Sequence, residues 1–346
     1  MGKTKKRIKR KNNNRIKLLM LILIIIGIIF LVNGKKDNNE NGMANGNKET
    51  KDSTSPEIFL DAEEAVVIAG DKYTPKATAR DDVDGDLTSK ITFSDFDTSK
   101  EGEYETTLSV TDNAGNKTEK KQKVIVRGEL KNGLPILMYH FFYDDIKYFR
   151  QDSNWIKNSD FEEQVKYLKE NDFYFPTWGE VNDYIDGKIK LPTKSVVLTV
   201  DDGDASFFDV AVPILQKYNI PATSFVITEW YGWRYDSNMK CVVWESHSES
   251  MHEAGANGKG RMVNWSYDKI VEDIKKSSET LGGANVFCYP FGHYNDTAIK
   301  ALKATNYILA LTVNEGRVTK NSDKYKLPRV RVVGENSLNY FIKSVN

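Results

Sequence analysis

A chain of 346 residues can build one large domain and one small one. Lys+Arg and Asp+Glu both total 49, so the chain as a whole is not a basic nucleic-acid binder. Two cysteines, Cys241 and Cys288, exclude a scaffold built on disulfides.

The charge is uneven. Residues 1–17 hold nine basic groups and no acid. Subtracting those nine from 49 leaves 40 basic against 49 acidic residues, so the remainder is mildly acidic. The basic stretch abuts an unbroken apolar run, residues 18–32. That placement predicts a cytoplasmic flank rather than a nucleic-acid arm. As a helix the run spans about 22 Å against roughly 30 Å of bilayer hydrocarbon, with Ile16 and a snorkelling Lys17 to extend it. A cleaved signal peptide is the competing reading. No small-x-small site follows Val32 and no cysteine there offers lipid attachment. The expectation is a basic cytoplasmic tail (1–17), an uncleaved transmembrane helix (18–32) and the rest outside the cell. The protein would then be a single-pass protein of the cell membrane. Both cysteines would lie in the exported part, where a disulfide between them is permitted; two reduced, buried thiols are the alternative.

Residues 33–55 are rich in Asn, Gly and Lys and predict a flexible linker. Residues 56–128 change to short alternating runs, such as 105–111 and 121–127, separated by turn signals at 84–86, 100–102 and 112–115. That spacing predicts a small all-β sandwich. With Asp81-Asp-Val-Asp-Gly-Asp-Leu-Thr88 and Val110-Thr-Asp-Asn-Ala-Gly-Asn116, the segment resembles bacterial surface immunoglobulin-like modules. Asp82, Asp84 and Asp86 hint at calcium. An EF-hand, however, needs an acid where Phe93 stands, so an acidic turn is the expectation.

From residue 134 to 346 strand-like and helix-like segments alternate. Strands are predicted at 135–139, 195–200, 222–227, 242–245, 285–289, 308–313 and 329–333. Helices are predicted at 161–171, 205–218, 267–281, 297–305 and 337–345, with Asp160 and Ser266 as candidate caps. The alternation predicts an α/β fold of parallel strands covered by helices, an irregular (β/α) barrel.

The strand ends carry the chemistry. The run 195–200 stops at Asp201-Asp202-Gly203. Carboxyl ends of parallel strands are where ligands sit, so one aspartate can hold a cation while the other reaches water. An ordinary turn is the other reading. Three of the four histidines fall at or just beyond strand ends: His140, His247 and His252. Two imidazoles and one carboxylate suit Zn²⁺ with an open position for water. The strand ending in Cys288-Tyr-Pro-Phe-Gly292 turns at a proline, which lacks an N–H. The Phe291 N–H is then the candidate oxyanion donor. Trp230, Tyr231, Trp233 and Tyr235 crowd the stretch after 222–227; such rings stack on sugar faces. A hydrophobic clasp under a loop is the alternative.

Thr199-Val-Asp-Asp-Gly203, His247-x4-His252 and Tyr289-Pro-Phe-Gly292, in this order, resemble the polysaccharide deacetylases, the NodB-homology group or carbohydrate esterase family four. The five-residue histidine spacing and Leu137-Met-Tyr-His140 resemble the poly-N-acetylglucosamine deacetylase branch. The resemblance implies that Asp201 is the catalytic base. It implies that Asp202, His247 and His252 hold a divalent metal, Zn²⁺ by preference, and that Phe291 and Tyr289 belong to the oxyanion and substrate site. His140 would supply the acid, with His293 second. The family's third motif carries an arginine where this chain has Cys288. Arg329 or Arg331 is left to orient the base, and the sequence does not choose between them. The implied activity is metal-dependent N-deacetylation of N-acetylglucosamine in an extracellular or cell-wall polysaccharide. An O-acetyl esterase and a non-catalytic carbohydrate-binding adhesin are the alternatives. The implied partners are that glycan and, through the N-terminal helix, the membrane; no nucleic acid is expected.

Overall fold

The computed structural model describes residues 52–346. The basic tail, the apolar run and the linker up to residue 51 lie outside the described residues. Among the described residues no helix is long and apolar enough to cross a membrane.

The small module contains β1 (Glu57–Leu60), β2 (Glu64–Ile68), β3 (Ala77–Asp81), β4 (Gly85–Asp86), β5 (Thr92–Phe93), β6 (Gly102–Thr111) and β7 (Lys117–Arg127). They form two sheets, ordered β1-β3-β4 and β2-β7-β6-β5, as an all-β sandwich. Alternation decides which face is buried. Thr106, Leu108 and Val110 of β6 point inward, and Leu108 and Val110 pack on Ile58, Ala79 and Leu87.

The large module is a closed barrel of seven parallel strands. In chain order they are β8 (Ile136–Tyr139), then, beyond the small pair β9 (Phe141–Tyr143) and β10 (Trp155–Lys157), β11 (Val197–Val200), β12 (Ala222–Val226), β13 (Val242–Ser246), β14 (Val286–Cys288), β15 (Leu309–Glu315) and β16 (Leu327–Arg331). β16 pairs with β8 to close the barrel. All seven strands predicted by apolar runs are present. Interior side chains, among them Ile136, Val197, Phe225, Val286, Leu309 and Leu327, fill the lower barrel. Strands packed on both faces must be apolar nearly throughout, and β8, β11, β12 and β14 are wholly buried.

Eight helices stand among the described residues: α1 (Asn158–Glu170), α2 (Trp178–Ile185), α3 (Val212–Tyr218), α4 (Thr228–Tyr231), α5 (Arg261–Asn264), α6 (Tyr267–Thr280), α7 (Asp296–Ala304) and α8 (Leu338–Val345). The expected helix 205–218 is divided, with a π-helical turn at Phe207–Ala211 ahead of α3. Asp160 is no cap; it lies inside the first turn of α1, which begins after Lys157. Ser266 precedes α6 without a side-chain capping bond. The unforeseen α2 starts with a capping box, Thr177 and Glu180 each bonding the other's backbone N–H. Of the two states left open for the cysteines, the reduced one is found: Cys241 and Cys288 are free thiols.

The barrel seam between β13 and β14 is thin, with Ser246 and Phe287 the one registered pair. There the buried Glu245 carboxylate accepts the backbone N–H groups of Asn285 and Val286, at 2.9 and 2.8 Å. The two modules are joined by backbone bonds from Thr193 to Gly128 and from Leu130 to Leu191, both 2.8 Å.

Candidate active site

The carboxyl ends of β8, β11, β13, β14 and β16 converge on one rim. Asp201 leaves β11 with its N–H bonded to the carbonyl of Tyr139 at 3.0 Å, which ties it to β8. Its carboxylate is 2 % exposed. Arg329, fully buried on β16, meets it in a two-point pair, with Nη1 to Oδ1 and Nη2 to Oδ2 both 2.7 Å. The other guanidinium hydrogens are also placed. Nε donates to the Thr312 carbonyl at 2.9 Å, Nη1 to Thr199 Oγ1 at 3.1 Å and Nη2 to Cys288 Sγ at 3.2 Å. A guanidinium with five satisfied donors is fixed in plane and angle. Burial alone would raise the Asp201 pKa; the charge and hydrogen bonds of Arg329 outweigh it and hold the carboxyl well below the usual range.

Arg329, not Arg331, therefore meets Asp201. Arg331, two residues further, shares that face of the strand but is the exposed last residue of β16, and donates to Asn154 Oδ1 at 3.0 Å. Cys288 stands at the motif position where the resemblance implies arginine, and its sulfur accepts from the arginine that arrives from the last strand.

Asp202 takes a left-handed backbone angle, φ 73°, which swings its side chain away from Asp201. Its Oδ1 is buried with no hydrogen-bond partner, and lies 3.4 Å from His247 Nε2 and 3.4 Å from His252 Nε2. Donors about 2.0–2.1 Å from one tetrahedral ion sit about 3.3–3.4 Å apart, so this spacing suits three ligands of one small divalent ion. His247 Nδ1 meets the Cys288 carbonyl at 2.8 Å, which orients the ring and leaves Nε2 for a metal. Burial, then the neighbouring His247, pushes His252 down to about 4, so its imidazole is uncharged at neutral pH. The residues fit a divalent metal on all these counts.

His140 Nε2 lies 3.8 Å from Asp201 Oδ2, on the same rim. Burial lowers its pKa, opposed in part by Asp201 and Asp202. His293 is differently engaged: its Nδ1 accepts the Gly260 N–H at 3.1 Å and anchors a loop. Phe291 sits at φ 58°, an uncommon angle for a bulky residue, and its ring centroid is 4.2 Å from that of His252. Its N–H has no partner among the described residues. Trp230 is 43 % exposed, with its ring edge-on to His252 at 5.9 Å. Trp233 is more exposed and stacks on Arg234. Two expectations need correction. Tyr231 turns inward against the core and donates to Asp204 Oδ2 at 3.2 Å. Tyr289 is wholly buried, donates to the Tyr325 carbonyl at 3.0 Å and stacks on Tyr294; its side chain is packing, not substrate site.

The sequence assigns no role to Thr199, the first residue of the motif, or to Thr312, and both hold Arg329. The signal for Thr199 was present: a lone hydroxyl two residues before Asp201 shares its face of the strand.

A closed parallel barrel with a carboxylate–guanidinium pair, an imidazole and an Asp-His-His set on its C-terminal rim defines a hydrolase that works on a polar bond. The comparisons give the particular kind. Residues 188–310 match the polysaccharide deacetylase family model, and residues 59–126 match the bacterial surface protein Ig-like domain. A poly-β-1,6-N-acetyl-D-glucosamine N-deacetylase of Staphylococcus aureus is 31 % identical over 226 residues, covering 58 % of this chain and 77 % of that protein. The enzyme of the same name from Staphylococcus epidermidis is 32 % identical over 196 residues, 51 % of this chain and 68 % of its own. The Streptococcus pyogenes deacetylase PplD, solved with acetate, superposes with a TM-score of 0.54 at 25 % identity, covering 62 % of this chain and 98 % of its own. The chain belongs to the polysaccharide deacetylase family.

Proposed function

We propose that this chain removes N-acetyl groups from poly-β-1,6-N-acetylglucosamine. The observation that carries the reading is the rim itself, where Asp202, His247 and His252 face one another beside the Arg329-held Asp201 and His140. The names of the staphylococcal relatives support the glycan. Asp202, His247 and His252 would hold a divalent ion, which would supply Lewis acidity to the acetyl carbonyl and to water. Asp201, fixed by Arg329, accepts a proton from the attacking water. The Phe291 N–H donates to the oxygen that gains charge. His140 gives a proton to the departing nitrogen; a pKa lowered by burial makes it the stronger donor once charged. Trp230 offers an exposed ring beside the reacting group for a sugar face. The products are acetate and a glucosamine unit, cationic at neutral pH.

The apolar run 18–32 and its basic flank support a membrane-anchored enzyme with its catalytic domain outside the cell. The test is acetate release by the full chain on β-1,6- and β-1,4-linked N-acetylglucosamine oligomers, peptidoglycan and an O-acetylated xylan. Release from the β-1,6 oligomer should lead. Preference for the xylan would make the enzyme an esterase, and no release from any of them would remove the catalytic reading.

A further inference from the structure

The deacetylase chemistry leaves two motifs of the small module unused, Asp81–Thr88 and Val110–Asn116. In the folded module they lie against each other at one end of the sandwich. Asp84 accepts both the backbone N–H and the side-chain N–H of Asn113, at 2.6 and 2.7 Å, and so ties the two turns together. Behind that tie, Asp81 and Asp112 are 4 % and 6 % exposed, with carboxylate oxygens within 4.8 Å of one another. Asp112 accepts from the Asn116 N–H at 2.8 Å and from Asn116 Nδ2 at 2.7 Å. Asp81 Oδ1 accepts the N–H groups of Val83 and Asp84, both at 2.9 Å. Asp81 Oδ2 is buried and has no hydrogen-bond partner. Among the described residues neither carboxylate forms an ion pair with Lys, Arg or His.

An orphaned carboxylate oxygen in a buried setting is costly, and a second carboxylate facing it adds repulsion. A cation between them removes both costs. We propose that Asp81 and Asp112 hold a structural divalent cation, calcium by its chemistry, in the immunoglobulin-like module. All-oxygen, anionic donors favour a hard ion, whereas the two imidazoles on the barrel rim favour Zn²⁺, so the two sites select different metals. Calcium–oxygen distances of 2.3–2.6 Å allow ligands on opposite sides of one ion to stand up to about 5 Å apart, which accommodates this pair. Backbone carbonyls and water complete such shells. The spacing of Asp82, Asp84 and Asp86 is not the reason: Asp84 is committed to Asn113, and Asp86 bonds the Thr88 N–H at 2.9 Å.

The experiment is calorimetric titration of calcium into the zinc-loaded full chain, with hydrogen exchange measured in parallel. Wild type and His252→Ala should each take one calcium with a Kd of about 10⁻⁴–10⁻³ M, the range of extracellular modules. Asp81→Asn, which keeps the Oδ1 acceptor, should weaken binding about tenfold or more through the loss of one ligand charge. In the unmutated chain, calcium should slow amide exchange at 81–86 and 112–116. Equal affinity in Asp81→Asn, unchanged exchange at those turns, or calcium binding that disappears in His252→Ala would each overturn the site.

Discussion

Arg329 and Asp201 form a buried pair whose value depends on shape as well as charge. Arg329→Lys keeps the charge but loses the fork that meets both oxygens. The Asp201 pKa should then rise, because its depression comes from Arg329. The acid limb of turnover should move to higher pH, with turnover down by about tenfold or more and metal content unchanged. Acetate release against pH, with elemental analysis alongside, checks this. The two aspartates should separate in the same assays. Asp201→Asn should retain metal and lose about 10²–10⁴ in turnover, whereas Asp202→Asn should lose metal first. Equal loss of metal from both would show the roles wrongly divided. Glu245 gives a stability test at the same scale. Burial raises its pKa to about 7, against two backbone donors that lower it. The folded chain then binds more protons than the unfolded chain between the ordinary carboxyl value and 7. Stability must fall as pH rises through that window, by up to about 3 kcal/mol. Glu245→Gln should flatten that slope in urea melts at pH 4.5 and 7.5; an unchanged slope would assign the pH dependence elsewhere.

Among the elements, the turn after β14 places the Phe291 N–H. Gly292 has φ +70°, and a Cβ there would stand 2.4 Å from Val313 Cγ2. Gly292→Ala should cost roughly 1–3 kcal/mol of stability and move the Phe291 N–H, so turnover per folded molecule should fall while metal content stays. Unchanged turnover per folded molecule would take this turn out of the chemistry. The barrel strands were legible in the sequence because a parallel strand covered on both faces must be apolar for most of its length, as at 195–200. The histidines and aspartates were legible because such strands can show polar groups only at their ends. What was hidden depended on closure. Nothing local distinguishes Arg329 from Arg331, which share one face of the strand; their depth in the barrel decides, and that needs the register of β16 on β8. Tyr289 was misplaced for the same reason, since the motif fixes its position in the chain and not the face its ring takes. The short β9 and β10 carry three residues each, too few for a period to show.

For the whole molecule, the proposed metal should link activity to stability. Chelation should abolish acetate release and lower the melting temperature, because an ion bound only by the folded state stabilises it by mass action. Zn²⁺ should restore both. A melting temperature unmoved by chelation would mean that Asp202, His247 and His252 do not bind an ion tightly in the folded chain. The barrel closure described above also sets an order of events. His140 follows the first barrel strand and Arg329 lies on the last, yet both face one carboxylate because β16 zips onto β8. A chain emerging from the ribosome amino end first holds Asp201 for nearly 130 residues before the guanidinium that pairs with it exists. On the proposed roles the chain should therefore stay inactive until synthesis is almost finished, and loss of the β16–β8 pairing should switch it off without touching a residue of the metal set.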